Sequence, residues 1–238
     1  DLELAYKKNE SDFVGANSFS VTEAYNTLCS NILFSCRAND SKVIIVSSTE
    51  SGDGKTTTAC RVAELLNKIW GKDNVLLVDC DMRKTNIHKV FKIGNKLGLS
   101  NVLSGMASID DVIVKDKNGL NIVTSGPSPS NIAEILASKY MDDFIEICTR
   151  RFKYVIIDIA PLNIVNDASI LSKYSGGVTF VVKSGRTRYK DVEKAGEILK
   201  LAGSKITGIV INGVEAKSGY YSRYKYYNKE YEGGKKTV

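Results

Sequence analysis

Six short apolar runs, rich in β-branched residues, constrain the fold of this chain most. They are Val43-Ile44-Ile45-Val46-Ser47-Ser48, Val75-Leu76-Leu77-Val78-Asp79, Leu120-Asn121-Ile122-Val123, Tyr154-Val155-Ile156-Ile157-Asp158, Val178-Thr179-Phe180-Val181-Val182 and Ile206-Thr207-Gly208-Ile209-Val210-Ile211-Asn212. A near-continuous apolar run reads as a strand buried on both faces, whereas a half-exposed strand would alternate. Stretches of helical character lie between the runs: about 55 to 70, 131 to 150, 166 to 174 and 188 to 202. Another helix precedes them. Ser20-Val21-Thr22-Glu23 reads as a capping box, and Tyr25, Leu28, Ile32 and Cys36 then share one helical face. Strands of this kind alternating with helices predict an α/β fold, a mainly parallel central sheet with helices on both faces. Residues 1–19 form a polar extension, 20–214 one domain, and 215–238 a flexible tail in which the apolar pattern stops.

The first of these strands runs into Ser51-Gly52-Asp53-Gly54-Lys55-Thr56-Thr57, and a helix opens there. That is the context of a phosphate loop. Glycines let backbone N–H groups approach phosphate oxygens, and a helix N-terminus favours negative charge. Lys55 would reach the β- and γ-phosphates of ATP, and the Thr56 hydroxyl would ligate Mg2+. The usual first glycine falls on Thr49. A dinucleotide fold, with Asp79 as the ribose-binding acid, would need GxGxxG, and the last position here is Thr57. Lysine and threonine at 55 and 56 favour a triphosphate. Asp79-Cys80-Asp81 closes the second strand and Asp158 closes the fourth. Carboxylates at strand carboxyl ends lie beside such a loop, where a magnesium site belongs.

The tail is unusual in composition. Tyr220, Tyr221, Tyr224, Tyr226, Tyr227 and Tyr231 are half of the chain's 12 tyrosines. Two bland readings exist: a stacking segment for single-stranded nucleic acid, since basic residues interleave with the rings, or low-complexity drift. Residues 217–238 also contribute +4 of the formal net charge of +6, so the folded body is near neutral. That excludes the broad basic face nucleic-acid binding needs. A phosphate loop and a cluster of phenols in one chain pair a phosphoryl donor with its acceptors. At about −1.5 to −2 charges per phosphate, two or three phosphates would cancel the cationic tail.

Other chemistries find little support. Cys29, Cys36, Cys60, Cys80 and Cys148 are odd in number and form no CxxC pair, which reads as reduced thiols of a cytosolic protein. One histidine, His88, and scattered thiols make no zinc site. His88 reads as a packed or surface side chain, and Arg186, Arg188 and Lys190 as a solvated helix start, with subunit contact as the alternative. No apolar run approaches the ~20 residues that span a bilayer, and there is no signal peptide. An opening at Asp1 rather than methionine is expected of an excised piece, or of the cytoplasmic part of something longer.

From Ser47 through Thr57, from Val75 through Lys84 and from Val155 through Pro161, the chain resembles the Walker A, Walker A′ and Walker B segments of the bacterial tyrosine kinases. Gly126-Pro127-Ser128-Pro129-Ser130-Asn131-Ile132-Ala133-Glu134-Ile135-Leu136, Asn166-Asp167-Ala168 and the terminal tyrosines fit the same family. The Walker elements alone suit equally the P-loop ATPases of plasmid partition and division-site placement; the tyrosine tail separates the two. The resemblance implies an ATP-dependent protein-tyrosine kinase regulating capsular or exopolysaccharide synthesis. It implies nucleotide contacts from Ser51 through Thr57 and from Asn212. Thr56, Asp81 and Asp158 would hold Mg2+. Catalytic roles fall to Lys55, Asp81 and Asp79, with Asp79 accepting the tyrosine proton. Tail tyrosines would be phosphorylated in trans by neighbouring subunits. Implied partners are a membrane adaptor that holds the kinase at the inner face of the membrane, a tyrosine phosphatase, and other copies of the chain in a ring. The family's first helix carries Glu-x-x-Arg-x-x-Arg for that ring; here Glu23 is followed by Asn26 and Cys29, which sets the ring in question. Thr85 stands where proline is usual.

Overall fold

Strand β1 (Val43–Ser48) is buried along its whole length, as its unbroken apolar character requires. The computed structural model describes residues 19–214. The N-terminal segment 1–18 and the tail 215–238, with all six clustered tyrosines, lie outside the described residues. In chain order the elements are α1 (Phe19–Ala38), β1, α2 (Lys55–Trp70), β2 (Val75–Asp79), α3 (Ile87–Phe91), α4 (Leu99–Leu103), α5 (Ile109–Val112), β3 (Ile113–Lys115), β4 (Asn121–Val123), α6 (Ile132–Leu136), α7 (Lys139–Arg151), β5 (Tyr154–Asp158), α8 (Asp167–Leu171), β6 (Val178–Lys183), α9 (Tyr189–Leu201) and β7 (Ile206–Asn212).

The strands form one sheet in the order β3-β4-β2-β5-β1-β6-β7. All neighbours pair in parallel except β3 and β4. The predicted mainly parallel sheet is therefore present, with one short antiparallel strand added at its edge. Successive side chains on a strand point to opposite faces. Ile45, Val78 and Ile157 accordingly pack under α4 to α9, with Phe144, Leu99 and Leu199. Ile44, Leu77 and Ile156 pack on the other face under α1 to α3, with Leu66, Ile32 and Ile87. The central strands β1, β2 and β5 thus sit between two apolar layers, and this fixes where their ends can move.

Three local expectations are corrected. The first helix opens at Phe19, so Ser20 lies within its first turn instead of capping it; helix ends drift by a residue or two between criteria. The expected single helix over 131 to 150 is two helices broken at Ala137-Ser138. There the Ser138 backbone is extended and its hydroxyl donates to the Ile135 carbonyl at 2.7 Å. A side chain bonding the backbone locally offers it an alternative to helix. Between 80 and 120, where no element was expected, lie α3, α4, α5 and β3. The helices there have four or five residues, too few for helical periodicity to register.

Candidate active site

The carboxyl ends of β1, β2 and β5 meet at one edge of the sheet, and the predicted phosphate loop lies there. Between Ser48 and Lys55 the chain reverses through two glycines in the left-handed region, Gly52 at φ 89° and Gly54 at φ 101°. A Cβ on Gly54 would lie 2.0 Å from Nδ2 of Asn212. Only glycine fits, because that amide donates to the Asp53 carbonyl at 2.9 Å. Asn212, 159 residues away at the end of β7, is thereby brought to the loop. Helix α2 starts at Lys55, and its first amides have no acceptor within the helix. Such an end favours anions.

Lys55 is almost fully buried. Its Nζ lies 2.7 Å from Asp81 Oδ2 and 3.5 Å from Asp158 Oδ1. Burial disfavours its ammonium, but Asp158, Asp81 and Asp79 outweigh burial and hold its pKa above the usual lysine value. The Thr56 hydroxyl donates to Asp158 Oδ2 at 2.6 Å. Asp158 Oδ1, in contrast, is buried with no hydrogen-bond donor; at 3.5 Å the lysine attracts it without bonding it. Burial raises the Asp158 pKa, against the pull of Lys55 and Thr56. Phosphate oxygens would draw the Lys55 ammonium outward, leaving the carboxylates of Asp81 and Asp158 beside the Thr56 hydroxyl. A buried carboxylate oxygen without a donor fits a cation, so these residues could hold Mg2+. The described residues contain no group of three His, Cys, Asp or Glu side chains arranged as a metal cage. Magnesium does not need one, since it keeps waters and takes phosphate oxygens.

Asp79 is fully buried, and its Cα is the register partner of the Asp158 Cα across β2 and β5. Its Oδ2 accepts from the Asn86 and Ile87 amides at 3.2 and 3.1 Å, and its Oδ1 from the Asp81 amide at 3.2 Å. Burial, then the charge of Asp158, push its pKa up to about 8; the Ile87 and Asn86 amides and Lys55 oppose this. A carboxyl tuned there is a stronger proton acceptor, once ionised, than an ordinary aspartate.

The other predicted contacts fall on the loop itself. Asp53 is buried and turns into the loop, its Oδ2 accepting from the Thr49 hydroxyl at 2.6 Å and the Glu50 amide at 2.8 Å. Ser51 is exposed, and Lys84 Nζ donates to its hydroxyl at 2.8 Å. Thr57 is exposed on the first turn of α2. One expectation is corrected. Arg186 is no freely solvated residue: its Nη2 donates to Asp53 Oδ1 at 2.6 Å and to the Ser51 carbonyl at 2.9 Å. Arg188 and Lys190 are exposed as expected. Arg83 forms a two-point pair with Asp167, at 2.9 and 3.2 Å, tying the segment after β2 to α8. No local pattern marks these pairs, because the partners are 133 and 84 residues apart. The five cysteines are free and buried, and burial raises every thiol pKa, so none is poised as a nucleophile. His88 is half-buried on α3, and burial with Lys89 lowers its pKa.

Comparison with known proteins agrees with this geometry. A family profile described as an AAA domain matches residues 41–178. The tyrosine-protein kinase YwqD of Bacillus subtilis (strain 168) is 33% identical over 232 residues, spanning 94% of this chain and 96% of the relative. Among solved structures, the kinase domain of the Escherichia coli tyrosine kinase ETK superposes with a TM-score of 0.79 at 27% identity, over 84% of this chain and 78% of that one. MinD of Pyrococcus horikoshii, a septum site-determining protein complexed with Mg-ADP, gives 0.59 at 22% identity over 72% and 70% of the two chains, a likeness of fold alone.

Proposed function

This chain belongs to the AAA-domain P-loop ATPases and, within them, to the bacterial tyrosine-protein kinases, and from that premise we infer how its residues divide the work of phosphorylating tyrosine. The reaction consumes ATP and a protein tyrosine and yields ADP and phosphotyrosine. The phenolic oxygen forms a bond to the γ-phosphorus as the bond to the β–γ bridging oxygen breaks. ADP leaves with that oxygen, and the phenolic proton passes to a base.

Lys55 and the loop amides bind the phosphates, and Lys55 offsets charge on the transferring group. Asn212 and Gly54 keep the loop in the shape that exposes those amides. Thr56, Asp81 and Asp158 would hold Mg2+, which when bound neutralises charge on the β- and γ-oxygens. Asp79 takes the phenolic proton. An unperturbed tyrosine has a pKa near 10. Asp79, held near 8, stands closer to it than an ordinary aspartate and so loses less driving force in the transfer. Asp81 orients Lys55 through their 2.7 Å contact until phosphates arrive.

Residues 20–214 act as the kinase domain, and the acceptors are Tyr220, Tyr221, Tyr224, Tyr226, Tyr227 and Tyr231 of a neighbouring copy. Among the described residues no helix is long and apolar enough to cross a membrane. A membrane adaptor holds the chain at the inner face of the membrane, a phosphatase resets the tail, and the output is control of capsular or exopolysaccharide synthesis. The observation that most supports this reading is the meeting of Lys55, Asp81, Asp158 and Asp79 in one buried cluster at the phosphate loop. The test is mass spectrometry before and after incubation with Mg·ATP, with and without an adaptor fragment. Phosphate should appear on tail tyrosines and vanish with EDTA. ATP hydrolysis with no phosphotyrosine, adaptor present, would favour a partition-type ATPase.

A further inference from the structure

Asp53 presents a problem that the phosphate site must solve. Its carboxylate is buried inside a loop whose purpose is to receive anions. Oδ2 accepts from the Thr49 hydroxyl and the Glu50 amide and so closes the loop on itself. Oδ1 has a different partner. It accepts from Arg186, which arrives from the turn between β6 and α9. That turn carries hydrogen bonds of its own. Gly185 takes φ 72°, the Thr187 amide donates to the Lys183 carbonyl at 2.9 Å, and the Ser184 amide donates to the Asn212 carbonyl at 2.8 Å. The Thr187 hydroxyl accepts from the Lys183 amide at 2.9 Å and lies 3.4 Å from the Thr49 hydroxyl. Residues 49–55, 183–187 and 212 are thus one hydrogen-bonded unit, although they come from three strand ends.

We propose that Arg186 is a positioning residue for nucleotide binding: it neutralises Asp53 and braces the phosphate loop against the turn after β6, so that the loop can accept a polyphosphate. The guanidinium also lies over the face of Gly52, where a methyl carbon added to that glycine would sit 3.5 Å from Nη1. Glu50, 3.8 Å from Nη2, shares the same cation. Without Arg186 the loop would keep two acidic side chains, one of them buried and unpaired, beside the phosphates. A buried charge stripped of its partner is costly, and a neighbouring anion raises that cost. Arg186 acts through Asp53, so its effect should depend on the Asp53 charge.

The inference rests on the nucleotide-binding part of the reading above and not on transfer to tyrosine, so the test measures binding alone. Affinity for Mg·ADP would be followed by titration of the full chain as wild type, Arg186→Gln, Asp53→Asn and the double variant, with circular dichroism to check folding. Arg186→Gln should weaken binding by about tenfold, and the same change made in Asp53→Asn should cost under about twofold. Arg186→Lys, which keeps the charge but loses the planar fork, should fall between. Undiminished affinity in Arg186→Gln overturns the proposal. So does an equal loss in both backgrounds, because Arg186 would then act on the nucleotide directly. Should Arg186→Gln fail to fold, Arg186→Lys in the two Asp53 backgrounds gives the same comparison, and the same two results overturn the proposal. Wild-type protein that binds no nucleotide would sink the nucleotide-binding reading and this inference together, whereas a binding wild type with an indifferent Arg186 sinks the inference alone.

Discussion

Asp79 and Asp158 stand opposite each other as register partners at the carboxyl ends of adjacent parallel strands, both with fully buried side chains. Two carboxylates so placed cannot both ionise cheaply, and Lys55 is bonded to Asp81 rather than to Asp79. Burial first, and the charge of Asp158 after it, therefore raise the Asp79 pKa from 3.8 to about 8.

A stability profile follows from that shift. The folded state binds the Asp79 proton more tightly than the unfolded chain does. The stabilising contribution is therefore complete below about pH 4 and is lost as pH rises through about 8. Without nucleotide, the melting temperature should fall across that window. Asp79→Asn mimics the protonated form, so it should melt higher than wild type at pH 8, on the order of a few degrees, and close to it at pH 5. The same variant should bind nucleotide through Lys55 and the loop amides yet transfer no phosphate to tyrosine. Scanning calorimetry at the two pH values, together with a phosphotyrosine assay, checks both halves; full kinase activity would remove Asp79 as the base.

Lys55→Met should do more than silence the kinase. In the absence of nucleotide Lys55 is the cation that faces Asp81 and Asp158. Removing one partner of a buried pair costs about 3 kcal/mol, which in a chain of this size lowers the melting temperature by roughly 6–12 °C. The deficit should shrink as pH falls, because burial raises the Asp158 pKa and protonation discharges that carboxylate once Lys55 is gone. Melting curves of the two proteins at pH 5 and pH 8 test this. An unchanged difference between them would mean that the carboxylates do not depend on Lys55.

Much of this site was legible in the sequence because its parts are local. Gly52, Gly54, Lys55 and Thr56 form one contiguous loop, and Asp79 and Asp158 each follow four apolar residues at a strand end, so strand burial alone brings them to the same edge. What stayed hidden depends on distant partners. Nothing beside Asp53 in the sequence announces Arg186, and nothing beside Arg83 announces Asp167. Strand order was equally silent, since it is set by which helices cover which face. The break at Ala137-Ser138 was missed because apolar residues continue at helical spacing across it, while a single hydroxyl bond to Ile135 decides the local path.

Gly54→Ala should abolish nucleotide binding for two separable reasons. The added methyl would collide with Asn212 Nδ2, and an alanine at φ 101° is strained by about 1–2 kcal/mol wherever it sits. Asn212→Ala removes the collision and also the bond to the Asp53 carbonyl. On its own it should weaken Mg·ADP binding by about tenfold or less, the worth of one hydrogen bond. Combined with Gly54→Ala it should recover only part of the lost affinity, because the backbone strain remains. Complete recovery in the double variant would show that the collision alone matters.

Transfer should be intermolecular, and the first helix suggests the complex is loose. Position 29, where the resemblance implies an arginine for ring contacts, is a cysteine only 1% exposed. It faces the sheet together with Ile32 and Cys36 and can offer a neighbour nothing. Asn26 is exposed, but its amide is spent on Glu23 at 3.0 Å within the same helix. A ring in this protein would have to be held elsewhere, and the purified chain should be monomeric or loosely associated when no adaptor fragment is added. On the proposed reading, encounter between copies suffices for transfer. A Lys55→Met protein with an intact tail should be phosphorylated by an active protein whose six tail tyrosines are phenylalanine. Phosphates on the tail should loosen association further, since each adds about −1.5 to −2 charges to a segment that must enter an already acidic site. Mixing the two proteins with Mg·ATP and following phosphotyrosine tests transfer. Light scattering tests assembly; a tight ring independent of both adaptor and phosphorylation would mean that surfaces other than positions 26 and 29 hold the subunits.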